Sequence, residues 1–419
     1  MRKINRCFFV GPLLVCAVAM PLSAPAATPA IYDLGTLSRD SFGVAVNASG
    51  QVAGDSYIAP NTKTIHAFKY SGTPGVDGLM RDLGTLGGDD SHAYGIGTSG
   101  QIVGFSYLAG NTLYRAYLYT GTPGIDGSMV DLGTLGGTTS AARAINSSGQ
   151  IVGSSATGST THAFLYSGIP GNGGHMIDLG SLNGPNGYST AFAISSTGLV
   201  AGTSIGTFGG PHAVRYIGAP GNVTIDDLGT LGGTQSDGLA INSIGQVAGQ
   251  SYTVGNLATH AFLYSGTPGS GGDMADLGTL GGRDSVANAV NDAGQVIGYS
   301  KIAGNITYHG FLYTGTPGTG GHMIDLDAWF DANNPIEGAK WTLTSASGMN
   351  ENGWITGDGI YNDGPGGLSD GYRAFLLDAS ALVVPEPAGI VMMGIGAVGL
   401  VWWGLGSRRG ASLESSSPL

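Results

Sequence analysis

The sequence predicts an all-β protein, a seven-bladed β-propeller built from repeats of about 49 residues, followed by one C-terminal transmembrane helix. Two observations support the propeller: one dipeptide recurs seven times at nearly constant spacing, and each repeat holds about four strand-like segments. The helix is indicated by an uncharged apolar run near the C terminus, which is long enough to span a bilayer.

The repeat is marked by the dipeptide Asp-Leu. Its successive spacings are 49, 49, 47, 49, 49 and 49 residues. The seven aspartates are Asp33, Asp82, Asp131, Asp178, Asp227, Asp276 and Asp325. Copies at such a regular period indicate one duplicated supersecondary unit rather than several unlike domains.

Each unit contains four segments that favour strands. Asp-Leu-Gly-Thr-Leu-Gly-Gly is followed by Ala-x-Ala-Ile-Asn, Gly-Gln-Val-x-Gly and His-Ala-Phe-Leu-Tyr, and a turn rich in Gly and Pro leads to the next Asp-Leu. Asn146-Ser147-Ser148-Gly149 predicts a tight hairpin, because Asn favours the start of a type I turn and Gly the left-handed position after it. Four short strands in 40 to 50 residues are typical of a propeller blade.

Small residues predict which strand of each unit lies innermost. Blades crowd together at the axis of a propeller, so Ala and Gly are expected there. The segments assigned to the axis are 45–47, 95–97, 144–146, 193–195, 240–242, 289–291 and 348–350.

The two ends of the repeat region predict how the ring closes. The chain opens with an Asp-Leu strand that has no preceding partner, and the last His-Ala-Phe-like strand has no Asp-Leu strand after it. We therefore expect residues 31–35 to complete the seventh blade beside residues 373–377. This closure hides both sheet edges.

The N terminus predicts a secretory signal peptide over residues 1–26. Three basic residues precede an apolar run over residues 7–22, and Ala24-Pro25-Ala26 supplies small residues at a cleavage site. Both cysteines of the chain, Cys7 and Cys16, lie in this segment. A mature chain without cysteine excludes disulfides and thiolate chemistry.

The C terminus contains three elements in a defined order. Val384-Pro385-Glu386-Pro387 precedes the uncharged apolar residues 388–406, and Arg408 and Arg409 follow them. Residues 384–410 thereby resemble the PEP-CTERM sorting signal of Gram-negative bacteria. The resemblance implies passage through the inner membrane and cleavage near the motif by an exosortase-type enzyme. The alternative is an ordinary C-terminal membrane anchor.

The third strand of the unit carries a second resemblance. His66-Ala67-Phe68, His162-Ala163-Phe164 and His260-Ala261-Phe262, together with the Asp-Leu-Gly-Thr-Leu-Gly-Gly segment, resemble the bacterial extracellular HAF-repeat family. The match spans residues 31–380 and is weakest in the last unit, where residues 329–341 replace the Gly-Gly segment. It implies an extracellular repeat scaffold and no defined activity.

Repeated polar residues favour architecture over chemistry. The histidines that open the third strand recur around the ring, with Arg115 and Arg373 at equivalent positions, whereas an active site needs unlike groups at one point. Each Asp of Asp-Leu is expected to accept backbone N–H groups in a turn. We therefore predict no catalytic, cofactor-binding or metal-binding residue, with residues 358–370 as the one segment resembling a calcium loop.

The leading hypothesis is a non-enzymatic, exported protein with a structural or adhesive role at the cell surface or in an exopolysaccharide matrix. A formal charge of −12 argues against nucleic-acid binding. The alternative is a carbohydrate-active propeller enzyme, a hydrolase or lyase, that uses Glu337, Glu351, Asp358 and Asp363 of the divergent last unit. A third hypothesis is multivalent sugar binding by equivalent loops of several blades.

Overall fold

The computed structural model describes residues 28–206, 210–219, 222–364 and 371–383. These residues form a β-propeller of seven blades, and each blade is an antiparallel sheet of four strands. The predicted fold and blade number are confirmed.

The strands follow one another around the ring, and each blade begins at its innermost strand. The first strand is β1 (Ile31–Asp33). Blade 1 contains β2 (Ser41–Val46), β3 (Val52–Tyr57), β4 (Ile65–Ser71) and β5 (Leu79–Asp82). Blade 2 contains β6 (Gly87–Ile96), β7 (Ile102–Leu108), β8 (Tyr114–Thr120) and β9 (Ser128–Asp131). Blade 3 contains β10 (Ser140–Ile145), β11 (Ile151–Ala156), β12 (Thr161–Ile169) and β13 (Asn172–Gly180).

Blades 4 to 7 repeat this order. Blade 4 contains β14 (Ser189–Ile194), β15 (Val200–Ile205), β16 (Pro211–Ala219) and β17 (Asn222–Asp227). Blade 5 contains β18 (Gly232–Ile241), β19 (Val247–Thr253), β20 (Thr259–Thr267) and β21 (Ser270–Asp276). Blade 6 contains β22 (Gly281–Val290), β23 (Val296–Ile302), β24 (Tyr308–Thr316) and β25 (Thr319–Asp325). Blade 7 contains β26 (Trp341–Met349), β27 (Trp354–Tyr361) and β28 (Gly371–Asp378), with β1 as its outermost strand.

Helical segments are short in the described part of the chain. The helices and 3₁₀ turns are α1 (Leu326–Asn333), α2 (Pro335–Gly338), α3 (Ser380–Val383), Gly184–Asn186 and Val254–Asn256. Among the described residues, no helix has the length and apolar character needed to cross a membrane. Residues 388–406, the predicted membrane helix, lie outside the described residues.

The ring closes by pairing the two ends of the propeller. Antiparallel β1 and β28 place Ile31 opposite Leu377 and Asp33 opposite Phe375. The N–H of Leu34 donates to the carbonyl of Ala374 at 3.0 Å. The predicted closure between residues 31–35 and 373–377 is confirmed, and each Asp-Leu unit is therefore offset from a blade by one strand.

Connections alternate between two faces of the ring, because the strands within a blade alternate in direction. We call one the turn face: it carries the tight turns between first and second strands. We call the other the loop face: it carries the loops between second and third strands. In the turn of blade 3, Oδ1 of Asn146 accepts N–H groups from Ser148 and Gln150, and Gly149 has a φ of 77°. The predicted hairpin is confirmed.

Blade interfaces combine apolar packing with repeated polar contacts. Seven hydrophobic clusters make up the core, and the cluster around Val103 and Leu118 of blade 2 continues into Phe164 and Tyr166 of blade 3. Where blades 2 and 3 meet, the buried Ser140 hydroxyl accepts the N–H of Ala116 at 2.9 Å. The same serine contact recurs at Ser41, Ser91, Ser189, Ser236 and Ser285. Each blade is thus positioned by its neighbour.

Blade 7 differs from the others at its entrance. The carboxylate of Asp325 accepts N–H groups from Asp327 and Ala328, so the residue that begins a glycine turn in other units caps α1 here. Phe330 of this helix is buried in the same cluster as Trp341. The departure of residues 329–341 from the repeat therefore corresponds to two packed helices.

Candidate functional site

The repeated histidines form ion pairs with the repeated aspartates. In blade 1, Nδ1 of His66 lies 2.8 Å from the carboxylate of Asp82 on the neighbouring strand. The same pairs are His162 with Asp178, His212 with Asp227, His260 with Asp276 and His309 with Asp325. Each pair joins the third and fourth strands of one blade, which supports an architectural role.

The aspartates also fix the turns that follow them. Asp82 accepts the N–H of Gly84 at 2.7 Å, and Asp33, Asp131, Asp178, Asp227 and Asp276 make the equivalent bond. The predicted turn role of these residues is confirmed. In blade 2, Nε of Arg115 lies 3.9 Å from Asp131, so arginine occupies the place of the histidine.

Charge pairing shifts the pKa of both partners in the pairs His66–Asp82 and His260–Asp276. The hydrogen bond from His66 to Asp82 raises the pKa of His66 despite its partial burial, and His260 and His309 behave alike. Burial raises the pKa of Asp82, but its bonds from His66 and the Gly84 N–H outweigh burial, and the net pKa is lowered. The folded protein therefore favours the doubly charged pair.

These pairs should make stability depend on pH. A raised histidine pKa stabilises the fold below about 6.5, the unfolded value, and that contribution is lost as pH rises through the folded pKa. A lowered aspartate pKa stabilises the fold above 3.8 and is lost as pH falls through the folded pKa. We expect the thermal midpoint to fall as pH rises from about 6 to about 9.

The control for this dependence is the triple variant His66→Asn, His260→Asn and His309→Asn, which keeps a hydrogen-bond donor but does not titrate in that range. Calorimetric midpoints of the variant should change much less between the two pH values. An equal slope in both proteins would assign the pH effect to other groups.

The four acidic residues of the enzyme hypothesis lie at different positions along β27 and its neighbours. Glu351 lies in the turn between β26 and β27 and accepts the N–H of Asp292 at 3.2 Å. Asp363 follows the opposite end of β27, about 20 Å from that turn at about 3.3 Å per residue. Glu337 on α2 pairs with Lys340, and Asp358 accepts the Thr344 hydroxyl at 2.9 Å. Glu351 is thus separated from Asp363, whereas the charges of Glu337 and Asp363 both raise the pKa of Lys340, so these two carboxylates lie on the same side of the blade.

Two sequence-predicted sites extend outside the described residues. Residues 365–370 of the calcium-loop candidate, and all of Val384, Pro385, Glu386, Pro387, Arg408 and Arg409, lie there. Among the described residues, no group of three or more His, Cys, Asp or Glu side chains is placed to hold a metal ion.

A central channel of about 290 Å³ runs along the axis of the ring. Its wall consists of three residues from each innermost strand, in blade 3 Arg143, Ala144 and Ile145. The predicted assignment of the small-residue segments to the axis is confirmed. Ala or Gly forms the middle layer of the wall in every blade, which leaves room for the channel.

The channel layer nearest the loop face is formed by β-bulges. In blade 3 the register passes from Ala142 opposite Gly153 to Ala144 opposite Val152, so Arg143 has no opposite residue. A bulge re-aims a side chain, and here it directs one residue per blade to the axis. We call these the channel ring: Val44, Tyr94, Arg143, Phe192, Leu239, Asn288 and Ser347.

Unlike side chains meet in the channel ring. The guanidinium carbon of Arg143 lies 4.1 Å from the ring centroid of Tyr94 and 5.6 Å from that of Phe192. The amide nitrogen of Asn288 donates to the carbonyl of Ala346 at 2.9 Å. A cation, two aromatic rings and an amide around one opening form a candidate ligand site.

Aromatic and charged residues continue outward from Tyr94. The ring of Phe105 lies 5.8 Å from that of Tyr94 and stacks on His92 at 4.7 Å. Nδ1 of His92 lies 2.7 Å from Asp55 of the preceding blade. Burial lowers the pKa of His92, but the bond and charge of Asp55 outweigh it and the net pKa is raised. Burial also raises the pKa of Asp55, against the lowering effect of His92, so the two groups share a buried hydrogen bond between blades 1 and 2.

The sequence did not predict the channel ring, because acidic residues and repeated motifs were the features that indicated a site. Its signal was a variable residue between two small ones, as in Gly43-Val44-Ala45 and Ala142-Arg143-Ala144. Only the bulge reveals that this variable residue points into the channel.

A scan against protein-family models matches no family, and a search of the curated proteins finds no match.

Proposed function

We propose that this protein is exported and has a structural or adhesive role at the cell surface or in an exopolysaccharide matrix. The observation that carries the proposal is the order of segments around the propeller. A basic and apolar leader over residues 1–26 precedes it, and Pro385-Glu386-Pro387, the apolar residues 388–406 and two arginines follow it.

The tail supplies the sorting step of this proposal. Residues 388–406 form a transmembrane helix that holds the protein in the inner membrane, with Arg408 and Arg409 on the cytoplasmic side. An exosortase-type enzyme then cleaves near Pro385-Glu386-Pro387 and releases the propeller outward. The resemblances to the PEP-CTERM signal and to the extracellular HAF-repeat family support this assignment.

The propeller suits a binding scaffold better than an enzyme. Its repeated His–Asp pairs join strands within a blade, its serine contacts join neighbouring blades, and the pairing of β1 with β28 closes the ring. Glu351 lies at the opposite end of β27 from Asp363, and Glu337 pairs with Lys340. Catalysis by two carboxylates needs them on either side of one bond, so Glu351 and Asp363 do not form such a pair.

The sorting step is tested by expressing the full chain with an exosortase-type enzyme in a Gram-negative host and fractionating the cells. We expect wild type to be shortened and released from the inner membrane. Pro385→Ala with Glu386→Ala and Pro387→Ala should leave the full-length chain in the membrane fraction. A control lacking residues 411–419 retains all three elements and should be processed like wild type.

Two results would overturn this part of the proposal. One is equal release of the motif variant and wild type, which would mean that the motif directs no cleavage. The other is accumulation of the full chain in the cytoplasm. The adhesive role is tested separately, by co-sedimentation of the mature segment 27–383 with acidic and neutral exopolysaccharides and analysis of chain length. Retention without shortening is expected, and shortening would indicate an enzyme.

A further inference from the structure

The strongest unexplained feature of the molecule is Arg143. It is the one basic residue among the residues that line the channel. Its Nε is buried and has no hydrogen-bond partner in the described part of the chain. Described ion pairs of arginine and lysine involve other residues: Arg39, Arg115, Arg215, Arg283, Lys301 and Lys340.

Among the described residues, no carboxylate pairs with this partly buried cation. The rings of Tyr94 and Phe192 supply only the weaker attraction of their faces. The formal charge of the chain is −12, so acidic residues are plentiful, yet none of the described ones lies against Arg143 as an ion pair. An anion entering the channel would complete the pair.

Nearby carboxylates are engaged elsewhere. Asp55 binds Nδ1 of His92 at 2.7 Å. Asp237 accepts the Thr203 hydroxyl at 2.7 Å and the Gln250 amide at 2.9 Å. Neither aspartate belongs to the channel wall. The approach of an anion from the loop face therefore meets aromatic rings and hydrogen-bonding groups next to Arg143.

The volume and the lining residues of the channel favour an anion that carries a carboxylate on a small ring. The channel volume of about 290 Å³ is close to the lower end of small-molecule sites, roughly 300 Å³. The rings of Tyr94 and Phe192 line the channel and offer apolar surface against which a C–H-rich ring packs, while Asn288 and Ser347 add polar groups. Guanidinium groups bind carboxylates through two parallel hydrogen bonds.

We propose that the channel binds a uronate, a sugar ring that carries a carboxylate, with Arg143 on the carboxylate and Tyr94 and Phe192 beside the sugar. This inference rests on the proposed matrix role, because it names the chemical class of polysaccharide that the propeller retains. Binding is non-covalent, and no bond of the sugar is broken.

The test is calorimetric titration of the segment 27–383, which contains all seven closed blades, at about pH 7, where the carboxylate of the ligand is ionised. Glucuronate should bind, and glucose, which lacks the carboxylate, should not. Acetate, which lacks the ring, should bind at least about tenfold more weakly. Arg143→Met should weaken glucuronate binding by about 10- to 100-fold, as expected for loss of charged hydrogen bonds.

Matched variants keep the test decisive. Arg283→Met removes the same charge from an exposed site and should bind glucuronate like wild type, because Arg283 pairs with Asp284 far from the channel wall. Arg143→Lys keeps the charge and loses the planar two-bond geometry, so it should also bind more weakly. It replaces Arg143→Met if that variant fails to fold.

Three outcomes would overturn the inference: equal binding by Arg143→Lys and wild type, acetate binding as tight as glucuronate binding, or no glucuronate binding at all. Failure of the matrix role is distinguishable. Glucuronate binding without retention on any polysaccharide would leave the channel site intact and remove the adhesive function. Retention on polysaccharide without glucuronate binding would leave the adhesive function intact and remove the channel site.

Discussion

Deletion of residues 31–34 is expected to lower the thermal midpoint of the propeller by about 10 °C or more. The deletion removes β1, its ladder with β28 and the side chain of Leu34, which is 3% exposed and packs with Val52 and Phe68 of blade 1. It also exposes the edge of β28. The loss corresponds to about 5 kcal/mol, and each kcal/mol shifts the midpoint of a large domain by about 2 °C.

The length-matched control is deletion of residues 60–63, four exposed residues of the loop between β3 and β4. Shortening such a loop should change the midpoint far less, because it removes no strand pairing. Leu34→Ala should cost about 2 to 5 kcal/mol and fall short of the strand deletion. If the strand deletion melts within about 2 °C of wild type, β1 does not close the ring in solution.

Gly153→Ala is expected to destabilise the protein by about 3 kcal/mol or more. Gly153 lies on the second strand of blade 3, and a Cβ there would overlap the backbone carbonyl oxygen of Ala141 on the bulged first strand. The three nearest atoms are all backbone atoms of Ala141 and Ala142, so the overlap cannot be relieved by rotating a side chain. The same overlap is found at Gly54, Gly104, Gly202, Gly249, Gly298 and Gly357, so the bulge of every blade depends on a glycine.

The matched control is Gly158→Ala in the exposed loop that follows the same strand. A Cβ at Gly158 would meet no atom within 4 Å, and its φ is not in the left-handed region. We expect a change within about 0.5 kcal/mol, with a slight gain from the reduced entropy of the unfolded chain. Equal chemical-denaturation midpoints for the two variants would show that the strands do not approach this closely.

Regular spacing made the architecture predictable. The constant distance between Asp-Leu dipeptides and the small residues at 45–47 and its equivalents fixed the blade number, the innermost strands and the closure by residues 31–35. These features depend on the preference of short segments for strands and turns and on the repetition of those segments, and both can be recognised in a single sequence. The turn role of Asn146 was accessible for the same reason.

The candidate site was not predictable in this way. Glu351 and Asp363 share one divergent unit of the sequence, yet they lie at opposite ends of β27. Arg143, Tyr94 and Phe192 come from three different blades and meet because each bulge directs its residue to the axis.

By itself, then, the sequence determined a closed ring of seven four-stranded blades, because each unit repeats the same short-range preferences for strand, turn and packing. The tertiary structure alone decided which side chains share the channel, and that each repeated histidine faces the aspartate 15 or 16 residues later. Those contacts depend on strand register, bulge position and ring closure, which bring together residues that are distant in the chain.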